Sequence, residues 1–151
     1  MNWCGIDPGK EGGIVFYLDS AVPPANLIAF KLPYKNNVVD VCQLQEWFIL
    51  FEISAVVVEI PFIVKGKFKN YSSMTNFGMI RATVELCGIE YREVKPKKWQ
   101  SKLGLTGNKQ SHINWCLDRD LPVPMTSKQK NARHHDGVAD AWCILMSEVI
   151  E

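Results

Sequence analysis

A chain of 151 residues, 47% hydrophobic and 22% charged, has the size and composition of one soluble globular domain that buries its own core, and residues 1–151 are read as a single domain. A net charge of +1 does not by itself point to a nucleic-acid binder, and no repeat or low-complexity tract interrupts the sequence. The first seven residues lack the basic and apolar regions of a signal peptide. Glu52, Glu59 and Pro61 break up the most apolar stretch, residues 47–64, so no membrane span and a cytoplasmic location are expected. Five cysteines (Cys4, Cys42, Cys87, Cys116 and Cys143) form no CxxC pair and lie in apolar surroundings. Buried, reduced thiols are expected, rather than zinc ligands or disulfides.

In chain order, residues 2–7 read as a buried strand, residues 8–12 as a turn and residues 13–18 as a second strand, together an N-terminal hairpin. Residues 27–32 follow as a third strand after Pro23-Pro24. Apolar positions at Val41, Leu44, Trp47, Phe48 and Phe51 have helical spacing and predict a helix over residues 39–53, ended by Ser54. The run from Ala55 to Val58 is apolar on both faces and suits a central strand covered by helices, with Glu59 at its end. A basic, aromatic loop follows over residues 62–71. A helix over residues 72–87 is expected with Ser72 or Ser73 as its N-cap. Residues 91–94 read as a strand, residues 95–107 as a basic connector with a short helix, residues 109–117 as a helix and residues 136–150 as a final amphipathic helix. The order predicts an α/β fold: a mixed five-stranded sheet with helices on both faces.

Four acids stand where burial makes them costly. Asp7 closes an apolar strand, and before Pro8-Gly9 it also fits a plain turn-forming role. Glu59 ends an apolar strand, and a glutamate there is rarely buried without a partner. Asp136 and Asp140 lie four apart at the start of the last helix, which puts both on one face. Asp136 could instead cap that helix, whereas Asp140 interrupts an apolar stripe. Gathered together, the four would form a hard oxygen site of the kind magnesium takes, completed by water and phosphate.

That ordered set resembles the RNase H-like nuclease superfamily and, more narrowly, the RuvC-type Holliday-junction resolvases in their compact bacteriophage form. The residues that carry the resemblance are Gly5-Ile6-Asp7-Pro8-Gly9, Val57-Val58-Glu59-Ile60-Pro61 and His135-Asp136-Gly137-Val138-Ala139-Asp140-Ala141. The resemblance implies an RNase H-like sheet and a magnesium-dependent endonuclease that nicks branched DNA, leaving 5′-phosphate and 3′-hydroxyl ends. It further implies two magnesium ions per site (manganese as the substitute), a homodimer acting on a four-way junction and, if the chain is phage-encoded, the host cytoplasm. Asp7, Glu59, Asp136 and Asp140 are then the metal ligands. Many relatives have an acid or histidine three residues before the final aspartate, where this chain has Gly137, so Asp136 is the fourth ligand and His135 its alternative. Lys109 lines up with a lysine near the scissile phosphate, and Phe62 with an aromatic that stacks on junction bases. Phe68 and Tyr71 are alternatives to Phe62, which could equally be a core residue. Helix 72–87 is a candidate dimer interface.

Charge distribution adds to this. Between residues 60 and 115, ten basic residues face three acidic ones, an imbalance that favours an anionic partner. Lys65, Lys67, Lys69, Lys95, Lys97 and Lys98 are expected to hold the DNA backbones. His112, His134 and His135 are expected at the surface, with no catalytic role required. The rival readings are an RNase H-like nuclease acting on RNA or simple DNA, and a non-catalytic junction-binding protein.

Overall fold

The computed structural model describes residues 1–19, 21–62, 71–127 and 132–150. A five-stranded sheet forms its middle layer. Strands β1 (Asn2–Ile6) and β2 (Gly13–Tyr17) form the expected hairpin, and β3 (Leu27–Lys31) extends it antiparallel. Strands β6 (Ile53–Glu59) and β7 (Glu90–Val94) join on the other side, each parallel to its inner neighbour. The sheet is therefore mixed, as the sequence predicts. A two-stranded ribbon of β4 (Tyr34–Lys35) and β5 (Val38–Val39) stands beside it, unforeseen; Asn36 and Asn37 both take positive φ at its tip. Asparagine tolerates that region better than most residues, and so turns the chain without glycine.

Helices cover both faces. On one face α1 (Val41–Leu50) and α2 (Tyr71–Leu86) pack Leu44, Phe48, Ile80 and Val84 against Cys4, Ile6, Phe16, Val56 and Val58 of the sheet. On the other, α3 (Pro96–Lys102), α4 (Lys109–Leu117) and α5 (Asp136–Val149) pack Trp99, Cys116, Trp142 and Leu145 against Val15, Val57 and Val94. Strand β6 sends alternate residues into both clusters, which is why Ala55 to Val58 are all fully buried.

Two boundaries and the burial of two cysteines differ from expectation. Helix α1 stops at Leu50 because Glu52 takes φ +49°, and Ile53 and Ser54 already belong to the strand. Ser72 and Ser73 lie inside α2, so neither is its N-cap. Cys42 is exposed and Cys87 half-buried, although all five cysteines are free thiols as expected.

Helix α5 sits unusually close to the sheet. A Cβ on Gly13 would stand 2.5 Å from the Val138 Cα, one on Gly137 only 2.0 Å from the Glu11 carbonyl oxygen, and one on Gly5 2.6 Å from the Ala141 carbonyl oxygen. These neighbours are backbone atoms and cannot swing aside. Gly137→Ala should therefore destabilise the protein by about 2 kcal/mol or more, as overpacked sites do. Urea unfolding of the metal-free protein measures this, and unchanged stability would show that the helix can back away freely.

Candidate active site

Register brings the acids together. Ile6 pairs with Val58 in the parallel β1–β6 ladder, so the next residues, Asp7 and Glu59, come side by side where the two strands end. Val57 faces the α3–α5 cluster and Gly5 faces α5. Two residues on, Asp7 and Glu59 project to that same face. Asp140, on the second turn of α5, is 4% exposed and reaches them from above. The like charges are felt: the negative charge of Asp140 acts on Asp7, and those of Asp7 and Asp140 on Glu59.

Each acid is held by a particular partner. Asp7 Oδ1 accepts the Gly9 N–H at 2.9 Å, an Asx turn that closes the β1–β2 connection. Glu59 Oε2 accepts the Trp99 indole N–H at 2.6 Å. The Asp140 Oδ1 lies 2.7 Å from His112 Nδ1, and the other nitrogen of that ring donates to the Thr106 carbonyl at 2.5 Å. Lys109 forms an ion pair with the remaining oxygen of Asp140. The loop under Asp7 is clamped by fully buried Asn76 of α2, which donates to the Pro8 carbonyl and to the Tyr34 hydroxyl and accepts from Val39 N–H. The Tyr34 hydroxyl in turn donates to the Gly9 carbonyl.

Crowding and burial shift the proton equilibria. Burial raises Asp7 from 3.8 to about 6, with the charge of Asp140 adding to it against the Gly9 N–H and Lys109. Burial and then Asp7 raise Glu59 from 4.5 to about 7, opposed by the Trp99 hydrogen bond. For His112 burial acts downward, but the hydrogen bonds to Asp140 and Thr106 together outweigh it, so its pKa rises. Lys109 follows the same pattern, with Asp140 outweighing burial. Several carboxylates against one lysine form a hard, anionic oxygen set whose chemistry fits a divalent cation. Among the described residues no three acidic, histidine or cysteine side chains are already gathered tightly enough to hold an ion by themselves. The Lys109 ammonium sits on Asp140. The set fits an ion that takes one or two carboxylates and fills its shell with water and phosphate.

Asp136 opens α5, half-buried, and its Oδ1 accepts its own neighbour's N–H from Gly137 at 3.0 Å. Its charge acts on both Asp7 and Lys109. It does not cap the helix. The N-cap is His135, whose Nδ1 accepts the Val138 N–H at 3.2 Å. Burial and the charge of Lys31 lower the His135 pKa, and with Nδ1 occupied this ring is the poorer ligand of the two. The close approach of Gly137 to Glu11 gives a steric reason for the departure at that position: no side chain fits three residues before Asp140, and the acid stands one residue earlier.

The histidines correct the expectation made for them. His112 is 1% exposed and His135 3%, both bonded within the site region; only His134, half-buried with Nδ1 on the Val123 carbonyl, resembles a peripheral residue. Reading the sequence missed His112, Trp99, Asn76 and Tyr34 as supports. Trp99 and His112 did carry a signal: each is a polar-edged ring at an apolar position of a short helix beside basic residues.

Phe62 is 70% exposed, which removes the core alternative. It borders a cleft of about 180 Å³ with Asp7, Glu59 and Ser73, and a neighbouring one of about 370 Å³ with Lys95 and Lys97. Lys95, Lys97 and Lys98 are exposed at the start of α3 and have no ion-pair partner among the described residues. The three acids of the basic segment are paired with arginines, Glu85 and Glu93 with Arg81 and Glu90 with Arg92, which leaves the lysines to set the local field. Lys65, Lys67, Phe68 and Lys69 lie outside the described residues. Tyr71 is exposed at the first residue of α2. No helix among the described residues is long and apolar enough to cross a membrane.

No protein-family model and no curated protein sequence matches the chain. Solved structures do. Thermus thermophilus RuvC overlays with a TM-score of 0.64 at 18% identity, and the same protein in complex with Holliday junction substrate with 0.63 at 19%, each over 99% of this chain and 93% of that one. Fowlpox virus resolvase with its substrate Holliday junction DNA overlays more loosely, at 0.49 and 13% identity over 97% of both chains. The chain thus has an RNase H-like α/β fold. Within that class it has the particular form seen in RuvC, over almost its whole length.

A raised carboxyl pKa predicts a pH dependence. Between about 4.5 and about 7 the folded state keeps a proton on Glu59 that the unfolded chain has released, so stability falls as pH rises. At about 1.4 kcal/mol per pH unit, ionised Glu59 costs the fold up to about 3 kcal/mol, less where water reaches it. Glu59→Gln should make the metal-free protein more stable than wild type at about pH 8, with the gap closing towards about pH 4.5. Magnesium should narrow the gap at the higher pH by binding only the wild-type folded state tightly. Denaturant titrations across this range check it, and a gap independent of pH would contradict it.

Proposed function

We propose that this chain is a magnesium-dependent, structure-selective endonuclease that resolves four-way DNA junctions and related branches by paired nicks, leaving 5′-phosphate and 3′-hydroxyl ends. The observation that carries this reading is the convergence of Asp7, Glu59 and Asp140, with Asp136 beside them, at the strand ends of a RuvC-like fold. One of the overlaid RuvC structures is a complex with Holliday junction substrate, which supports a branched-DNA substrate here.

The four carboxylates would hold two magnesium ions, or manganese in their place, whose chemistry in such sites is to activate a water and to stabilise the leaving 3′ oxygen. Lys109, paired with Asp140, would face the scissile phosphate, where its ammonium would offset the charge growing on that phosphate. Phe62, exposed at the mouth of the cleft, offers a stacking face worth about 1–3 kcal/mol per base. Lys95, Lys97 and Lys98, with Lys65, Lys67 and Lys69 of the preceding loop, would neutralise the backbones of the arms, which positions the DNA without reading sequence. A homodimer would present two such centres to the two symmetric strands of a junction.

With magnesium, the wild-type protein should nick four-way junctions in preference to linear duplex and to RNA. Asp7→Asn should lower nicking by more than about a hundredfold, beyond what loss of a supporting partner costs, and leave junction binding intact. Preference for RNA would overturn the junction assignment, and tight junction binding without nicking would make the chain a binding protein. Removing Lys97 and Lys98 together should weaken binding and reduce the slope of log affinity against log salt by about two, which a salt series on a labelled junction measures.

A further inference from the structure

We propose that Trp99 and His112 are positioning residues: each ties down one oxygen of a carboxylate so that the other oxygen is presented to the metal-binding space. The inference rests on the metal-binding part of the reading above and names residues that no part of the acidic motif contains.

Four observations carry it. The Trp99 indole N–H donates to Glu59 Oε2, and Glu59 Oε1 accepts no hydrogen bond among the described residues. His112 Nδ1 meets Asp140 Oδ1 while His112 Nε2 meets the Thr106 carbonyl. A carbonyl and a carboxylate only accept, so both ring nitrogens donate, and the ring cannot rotate without losing a buried bond. Trp99 and His112 are each 1% exposed and touch edge to face, with ring centroids 5.0 Å apart at 70°. The two supports therefore form one packed unit spanning α3 and α4, with Glu59 hung from one ring and Asp140 from the other. The remaining Asp140 oxygen faces the Lys109 ammonium, the position that a bound cation would contest.

Such a unit does two things for a pair of like-charged ligands. Each bond holds one oxygen of its carboxylate in place, which fixes the direction in which the other oxygen points. Each also limits its carboxylate to ligation through one oxygen, which suits a small ion with a strict octahedral shell. A purely structural pair of rings would stabilise the core without changing how strongly the site takes a metal.

The test is a calorimetric manganese titration of the metal-free protein without DNA, run beside thermal melting, calcium-supported junction binding and the manganese dependence of nicking. Trp99→Phe keeps a ring but removes the donor, and His112→Leu removes both bonds. Each should weaken manganese binding by about 10–100-fold, with the nicking midpoint moving in parallel. Melting should fall only by what the lost buried bonds cost, and junction binding at saturating calcium should stay near wild type. His112→Asn, whose amide nitrogen can stand where Nδ1 stood, should recover most of the loss. Wild-type manganese affinity in Trp99→Phe and His112→Leu overturns the proposal. So does a His112→Asn variant as weak as His112→Leu, or a loss matched by an equal loss of junction binding. If Trp99→Phe does not fold, the two His112 variants decide. A wild-type protein that binds manganese but nicks no junction would sink the endonuclease reading, while the affinities of the variants would still decide this one.

Discussion

The backbone-to-backbone contact between α5 and the first hairpin is the constraint on which the site depends. Gly5, Gly13 and Gly137 let the helix lie where any side chain would collide with a carbonyl or an α-carbon. At that separation Asp140, on the second turn, comes down onto the plane where β1 and β6 end. The hairpin, the parallel β1–β6 pair and the last helix thus form one rigid frame. Its geometry is set by steric exclusion, which is insensitive to pH or metal.

Electrostatics then works against the frame that sterics builds. Buried acids that repel one another raise their own pKa values, and each ionisation lowers the stability of the fold. The surrounding residues reduce this cost without removing it. Trp99, His112, Lys109 and the Gly9 N–H each favour the charged form of a neighbour, yet Asp7 and Glu59 remain well above ordinary carboxylates. In the proposed function, a bound cation would relieve that repulsion. Local strain of this sort is what proteins tolerate where function requires it.

Much of the frame was legible in the residues. Period-two and period-3.6 patterning located β1, β2, β3, β6, α4 and α5 closely, and the unbroken apolar run before Glu59 marked a strand covered on both faces. Errors came where a single backbone conformation decided the outcome. Helix α1 ends early because Glu52 turns left-handed, and the Asn36-Asn37 ribbon has no hydrophobic pattern to announce it. His112 was misjudged because its place at an apolar position of a short helix signals burial but does not name the aspartate 28 residues away that it meets. Gly137 looked like a gap in a ligand pattern, and only the Glu11 carbonyl beneath it gives a physical reason for the glycine.

By itself the sequence determined which acids exist, in what order, and at which ends of which elements they stand. Alternation, helical spacing and unexplained charge within apolar runs are local properties, and local properties survive without a fold. The tertiary structure alone decided who holds those acids. Trp99 reaches Glu59 across 40 residues and His112 reaches Asp140 across 28. Gly137 likewise meets the Glu11 carbonyl, a contact that leaves no room for a side chain there. Partnerships of that kind depend on how helices dock on a sheet, and docking is the sum of many weak contacts that no single stretch of sequence contains.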